Sequence, residues 1–98
     1  MNEHLEEYKD IIVPIIARHV PQAKIILYGS RARGDSKEGS DIDIALDIGT
    51  PIDWSLLSQI EWDLEDSDLP ILFDIVDLAK ISADMKKNIL KDGIIWKM

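Results

Sequence analysis

The chain has 98 residues, no cysteine and a formal net charge of −8, and 46% of its residues are hydrophobic. This length allows one domain, spanning residues 1–98, with one modest core, and the apolar fraction is too high for a disordered chain. The absence of cysteine excludes disulfides and thiolate chemistry, and a reducing cytoplasm suits this composition. No apolar run approaches the ~18 residues typical of a membrane span, so we expect no membrane association.

The acidic residues are unevenly distributed. Residues 41–79 contain eleven Asp or Glu and no Lys or Arg. Such a surface repels phosphate backbones, because non-specific nucleic-acid affinity comes mainly from basic side chains. Direct nucleic-acid binding is therefore disfavoured. The acidic half either holds cations, faces a basic partner or only keeps the protein soluble.

The first third of the chain predicts a helix, a strand and a loop. Apolar residues recur at helical spacing over residues 3–19, and Pro14 should kink or restart this helix. The short apolar run Lys24–Tyr28 ends at Gly29 and indicates a buried strand. Residues 30–40 contain glycine, serine and charged residues, which is typical of a loop.

Apolar and polar residues alternate over residues 41–48, which indicates a second strand with Asp41 and Asp43 on one face. Asp53 can cap a helix whose apolar stripe predicts a core position for Trp54. A third strand is expected over residues 71–76. Ser82 can cap a last helix that ends at Gly93, and residues 94–96 can add an edge strand. The predicted fold is α/β or α+β, a small mixed β-sheet with helices packed against it.

Three carboxylates carry the strongest chemical signal. Asp41 and Asp43 leave the same face of the predicted strand, roughly 6.6 Å apart along the chain. Asp74 lies inside an apolar run, where a bare carboxylate is costly to bury. If the third strand pairs beside the second, Asp74 joins the same face. Three such carboxylates can hold two Mg²⁺ ions for phosphoryl transfer.

A phosphate-binding segment precedes these carboxylates. Gly29 lets the backbone approach a phosphate closely, and Ser30 can donate hydrogen bonds to it. Arg31, Arg33 and Lys37 are the cations near this segment and could meet a triphosphate. Since no Gly-Lys-Ser/Thr occurs in the chain, this is not a P-loop.

The motif Gly29-Ser30, ten residues and then Asp41-Ile-Asp43 resembles the signature of the polymerase-β-like nucleotidyltransferase superfamily. The wider texts, Tyr-Gly-Ser-Arg-Ala-Arg-Gly and Ser-Asp-Ile-Asp-Ile-Ala-Leu, resemble the minimal nucleotidyltransferase (MNT) family. So do residues 68–77, which makes Asp74 the counterpart of that family's third metal-binding carboxylate. The resemblance extends over nearly the whole chain.

This resemblance implies a polymerase-β-like nucleotidyltransferase fold, a site with two Mg²⁺ ions and an NTP donor, with ATP inferred from the family. It makes Asp41, Asp43 and Asp74 the expected catalytic and metal-binding residues and Gly29 and Ser30 the expected nucleotide-binding residues, to which we add Arg31 and Arg33 because of their charge and position. It also implies a HEPN-domain partner, because in several such pairs the nucleotidyltransferase is an antitoxin that adenylylates a tyrosine of a HEPN toxin.

Other interpretations of the same residues remain open. Arg33 could instead pair with Asp35 or Glu38, and Asp47 and Asp77, at strand ends, are expected to be structural or solvated. The protein could be a catalytically silent antitoxin that acts by complex formation only. It could also be a small-molecule nucleotidyltransferase, although such enzymes carry an additional domain.

Overall fold

A computed structural model describes residues 5–34, 41–67, 69 and 71–98 of the chain. Its elements are named in chain order: α1 (Leu5–His19), β1 (Lys24–Tyr28), α2 (Ser30–Arg33), β2 (Ile42–Asp47), α3 (Trp54–Glu65), β3 (Phe73–Asp77), α4 (Ala83–Asp92) and β4 (Ile94–Lys97).

The four strands form one mixed sheet with the order β3-β2-β1-β4. β1 pairs antiparallel with β2 and with β4, whereas β2 and β3 are parallel. The parallel pair is joined by α3, as a parallel connection requires a crossover. The predicted mixed sheet with packed helices, and the neighbouring positions of the second and third strands, are confirmed.

Helices cover both faces of the sheet. Alternate residues of the strands point to opposite faces, so one set packs against α1 and α3 and the other against α4. The first set forms the larger core with Ile12, Ile16, Ile60 and Leu64, all fully buried. The second forms a smaller cluster around Ile26, Ala45, Leu78 and Ile89. None of the described helices is long and apolar enough to cross a bilayer.

Three local predictions were wrong. Residues 30–33 form a helical turn, not a loop, and β3 begins at Phe73 rather than at residue 71. α1 is continuous through Pro14, so the helix does not restart there, and the alternative of a kink stays a prediction. Asp53 occupies the cap position of α3, but its carboxylate accepts the Ser55 hydroxyl rather than a helix N–H.

Other predicted boundaries hold. β1 has the expected bounds, and β4 lies at the sheet edge. The Ser82 hydroxyl accepts the backbone N–H of Met85, so it caps α4 as expected, and Gly93 follows the last residue of that helix. The caps of this helix are therefore set by local hydrogen bonding that the sequence makes visible.

Candidate active site

A row of three polar side chains crosses the sheet where β2 and β3 begin. Asp43 on β2 is in register with Tyr28 on β1 and with Asp74 on β3. Directly opposed residues of neighbouring strands point to the same face with Cβ atoms about 5 Å apart. Two of the predicted site carboxylates are therefore neighbours, as the sequence interpretation required.

Asp41 lies one residue before β2, beside this row. The N–H of the next residue, Ile42, donates to the carbonyl of Leu72 at 2.9 Å, which joins the chain segments that enter β2 and β3. Asp41 and Asp74 are exposed, and Asp43 is half-buried. The three carboxylates thus lie at the end of the parallel strand pair where both strands begin, and all three are accessible to solvent.

The electrostatics of Asp43 reflect this crowding. Partial burial raises the pKa of the Asp43 carboxyl, the negative charges of Asp74 and then Asp41 raise it further, and Arg33 opposes the shift. A carboxylate whose main neighbours carry the same charge is stabilised by any cation that binds there. Binding of a cation at this site would therefore be electrostatically favourable.

The side chains do not form a ready-made metal site in this conformation. Within the described part of the chain, no group of three His, Cys, Asp or Glu is arranged so that it could hold a metal ion. The donor chemistry nevertheless fits Mg²⁺, which prefers carboxylate oxygens and usually takes only one or two of them together with water and phosphate. The backbone brings the predicted carboxylates together, but their side chains do not converge.

Gly29 brings the backbone directly against Asp43. Its φ is 77° and its ψ is −158°, a conformation that essentially only glycine adopts. A Cβ at this position would lie 2.3 Å from Oδ2 of Asp43. The Gly29 carbonyl accepts the N–H groups of Ala32 and Arg33, both at 3.1 Å, so the turn leads straight into α2. Glycine is required here for both conformation and space.

The cations of α2 lie next to this turn. The Arg31 guanidinium carbon is 6.0 Å from the ring centroid of Tyr8 on α1, within cation–π range. Arg33 is exposed, and its charge reaches Asp43. Ser30 is the first residue of α2. Lys37, and the alternative Arg33 partners Asp35 and Glu38, lie outside the described residues.

Asp47 and Asp77 have local structural roles, as expected. Asp47 accepts the N–H of Gly49 at 2.8 Å. Asp77 is buried and accepts the N–H groups of Ile52 at 2.7 Å and Ala79 at 3.0 Å. These hydrogen bonds satisfy both carboxylates within turns and loops.

Tyr28 was not identified from the sequence as a neighbour of the carboxylates. Burial, followed by the charges of Asp43 and Asp74, raises the pKa of Tyr28 to about 12. Its phenol therefore remains neutral in the row that it shares with Asp43. The cross-strand register that places it there is not visible in the local motif.

Comparisons with known proteins agree with this architecture. The family model described as "Polymerase beta, Nucleotidyltransferase" matches residues 10–96. The chain is 32% identical over 85 residues to the "Probable protein adenylyltransferase MntA" of Haemophilus influenzae, covering 87% of this chain and 75% of the relative.

Two solved structures have a closely similar fold. A toxin–antitoxin crystal structure with AMP-PNP superposes with a TM-score of 0.76 and 25% identity over 90% of this chain and 71% of that one. A complex of tri-AMPylated Shewanella oneidensis HEPN toxin with MNT antitoxin gives a TM-score of 0.72 and 22% identity, covering 93% and 70%. These matches and the family model confirm the resemblance drawn from the motifs: the chain belongs to the polymerase-β nucleotidyltransferase family and is a nucleotidyltransferase.

Proposed function

We propose that residues 1–98 form one Mg²⁺-dependent nucleotidyltransferase domain that transfers AMP from ATP to a hydroxyl group of a partner protein. The observation that carries this proposal is the register of Asp43 opposite Asp74, with the Gly29 turn packed against Asp43. This arrangement combines accessible carboxylates with a backbone turn on which a triphosphate can lie.

Asp41, Asp43 and Asp74 would hold two Mg²⁺ ions. Bound Mg²⁺ would lower the pKa of the acceptor hydroxyl and neutralise charge on the leaving pyrophosphate. The like-charge crowding that raises the Asp43 pKa supports this assignment, because a cation between the carboxylates removes that repulsion.

The Gly29 turn and α2 would bind the rest of ATP. Gly29 permits close approach of the β- and γ-phosphates to the backbone, and Ser30 supplies a hydroxyl and an amide N–H as donors. Arg31 and Arg33 would offset charge that develops on the pyrophosphate. The contact of Arg31 with Tyr8 supports this role, because it restricts a long side chain beside the turn.

The proposed reaction is an in-line displacement at the α-phosphorus of ATP. The acceptor oxygen forms a bond to the α-phosphorus of ATP while the bond from that phosphorus to the bridging α,β-oxygen breaks. Pyrophosphate leaves with the electron pair, and the exposed Asp74 takes the acceptor's proton. The products are an adenylylated acceptor and pyrophosphate.

We further propose that the acceptor is a tyrosine of a HEPN-type toxin, so that the protein acts as an antitoxin in a reducing cytoplasm. Support comes from the H. influenzae relative, whose name describes a protein adenylyltransferase, and from the toxin–antitoxin structure with AMP-PNP, an ATP analogue. A protein acceptor also suits the acidic residues 41–79, which oppose nucleic-acid binding.

Transfer of α-labelled ATP tests the proposal. The wild-type protein is incubated with Mg²⁺, with and without the co-expressed product of an adjacent HEPN-like reading frame. The label should appear on the partner and be lost with Asp41→Asn/Asp43→Asn. Asp47→Asn is the matched control, because it lies on the same strand and keeps an oxygen that can accept the Gly49 N–H.

Two outcomes would contradict the proposal and favour a different function. A stable complex with no transfer from any of the four NTPs would favour an antitoxin that acts by binding alone. Transfer to small hydroxyl compounds such as aminoglycosides, with no partner present, would favour a small-molecule nucleotidyltransferase.

A further inference from the structure

The outer surface of α3 carries two tryptophans that the protein itself does not bury. Trp54 is 74% exposed and Trp62 is 72% exposed. Trp54 was expected in the core, so its exposure corrects that prediction, whereas Trp62 lies off the buried stripe as its spacing indicates. Large aromatic side chains left in solvent are a feature of interaction surfaces.

The surroundings of Trp62 give this surface a chemical preference. Trp62, Glu65 and Asp66 line a shallow depression at the C-terminal end of α3. An indole face beside two carboxylates suits a guanidinium or ammonium group, which can stack on the ring and pair with the acids. The depression therefore favours an arginine or lysine side chain.

The depression lies at the same end of the β2–β3 pair as the candidate active-site carboxylates, but on the opposite face of the sheet, because α3 packs on the face that bears Ile44 and Ile75. Because β2 and β3 are parallel, α3 carries the chain back from the end of β2 to the start of β3. The C-terminal end of α3 therefore lies near the end of the strand pair where β2 and β3 begin. The first residue of α3, Trp54, lies near the end where the two strands finish.

Charge decides which partner can bind this depression. A nucleic acid would be repelled by residues 41–79, which have eleven acidic and no basic side chains. A second copy of this chain would bring its own acidic α3 against the first. A protein with a basic surface is complementary to the depression and to the whole acidic half.

From these observations we infer that the depression formed by Trp62, Glu65 and Asp66 is the docking surface for a basic patch of the partner protein that is adenylylated. Trp62 acts as the apolar anchor, and the two carboxylates orient the partner at the rim. This inference rests on the proposed function, since it requires a protein acceptor.

Binding of the purified HEPN-type partner, measured by calorimetry, tests the inference. Trp62→Ala should raise the Kd at least about tenfold, because truncated central tryptophans are among the most costly interface changes. Trp54→Ala is the control: it removes an equally exposed tryptophan from the same helix, and the Kd should stay within about twofold.

Charge reversal gives a second, independent comparison. Glu65→Lys should raise the Kd about fivefold at low salt, and the difference should shrink as ionic strength rises. Asp92→Lys is matched to it, since both are exposed acidic residues that end a helix, and it should have little effect.

Several results would overturn the inference. Unchanged binding of Trp62→Ala and Glu65→Lys would exclude this surface while leaving adenylyl transfer intact. A dimer of the isolated chain that Trp62→Ala dissociates in sedimentation would assign the surface to a second copy. Failure of the wild-type protein to bind the partner would contradict both the docking surface and the proposed identity of the partner. Failure of the wild-type protein to bind ATP would contradict the proposed activity alone.

Discussion

The two ends of the β2–β3 pair use the same residue type in opposite ways. Where the strands begin, Asp43 and Asp74 are side by side, and their mutual repulsion contributes to the raised pKa of Asp43. Where they end, Asp47 and Asp77 accept backbone N–H groups at 2.7 to 3.0 Å. The end where the strands begin therefore carries an excess of negative charge that Arg33 only partly offsets, whereas the carboxylates at the other end accept hydrogen bonds from nearby backbone N–H groups.

The surroundings of each carboxylate distinguish a structural aspartate from a candidate functional one, although all four lie in similar sequence contexts. A carboxylate that caps backbone N–H groups stabilises the fold and has little capacity left for a ligand. A carboxylate that faces like charges costs stability unless a cation binds. The two groups of aspartates should therefore respond differently to substitution.

Asp74→Asn should lower the rate of adenylyl transfer at least about a thousandfold, because the variant loses the side chain proposed as a metal ligand and as the proton acceptor. Asp47→Asn, on the neighbouring strand, should keep the rate within about twofold. Single-turnover transfer of labelled AMP measures both. Equal rates for Asp74→Asn and wild type would place the reacting groups elsewhere.

Asp77→Ala should lower the free energy of unfolding by about 3 kcal/mol, because it leaves the N–H groups of Ile52 and Ala79 without their acceptor. Lys80 would lose a partner too, since its ammonium group is 3.8 Å from the same carboxylate. Urea denaturation without Mg²⁺ measures the change.

Asp43→Asn is the opposite case in the same denaturation experiment. The pKa of Asp43 is raised in the folded protein, so protonated Asp43 contributes favourably to the free energy of unfolding. This contribution is lost as the pH rises through the folded-state pKa. At neutral pH the neutral amide should therefore cost no stability. A loss as large as that of Asp77→Ala would contradict the division between the two strand ends.

Much of this division could be predicted from the sequence. Alternation over residues 41–48 gave the faces of β2, and one Asp within an apolar run identified Asp74 as a candidate in a neighbouring strand. Trp54 was misassigned because helical spacing gives the direction of a side chain but not how far the core extends along the helix. Tyr28 was missed because its position depends on the register between distant strands.

Gly29→Ala should lower the transfer rate about thirtyfold, because its Cβ would displace the Asp43 carboxylate and small misplacements at a reacting centre are costly. Gly34→Ala is the matched control. Gly34 also has a positive φ, 82°, but a Cβ there would meet nothing within 4 Å. It should lose about 1 kcal/mol of stability through backbone strain and keep its activity. Equal activity losses in the two variants would mean that strain, not contact with Asp43, explains the requirement for glycine.

The titration of Tyr28 provides the finest test, because it reports the charge at this end of the strands without any ligand. In Mg²⁺-free buffer, phenolate absorbance recorded immediately after a pH jump should give Tyr28 a pKa of about 12, identified by its absence in Tyr28→Phe. Asp43→Asn and Asp74→Asn should each lower that pKa, because each removes a negative charge that disfavours the phenolate. Because the pKa is raised in the folded protein, the neutral phenol makes its full contribution to the free energy of unfolding below its ordinary pKa of 10.0, and this contribution is lost as the pH rises through about 12. If neither amide variant changes the Tyr28 pKa, the two carboxylates do not lie on the same face of the sheet as Tyr28. The proposed clustering of negative charge where β2 and β3 begin would then be wrong.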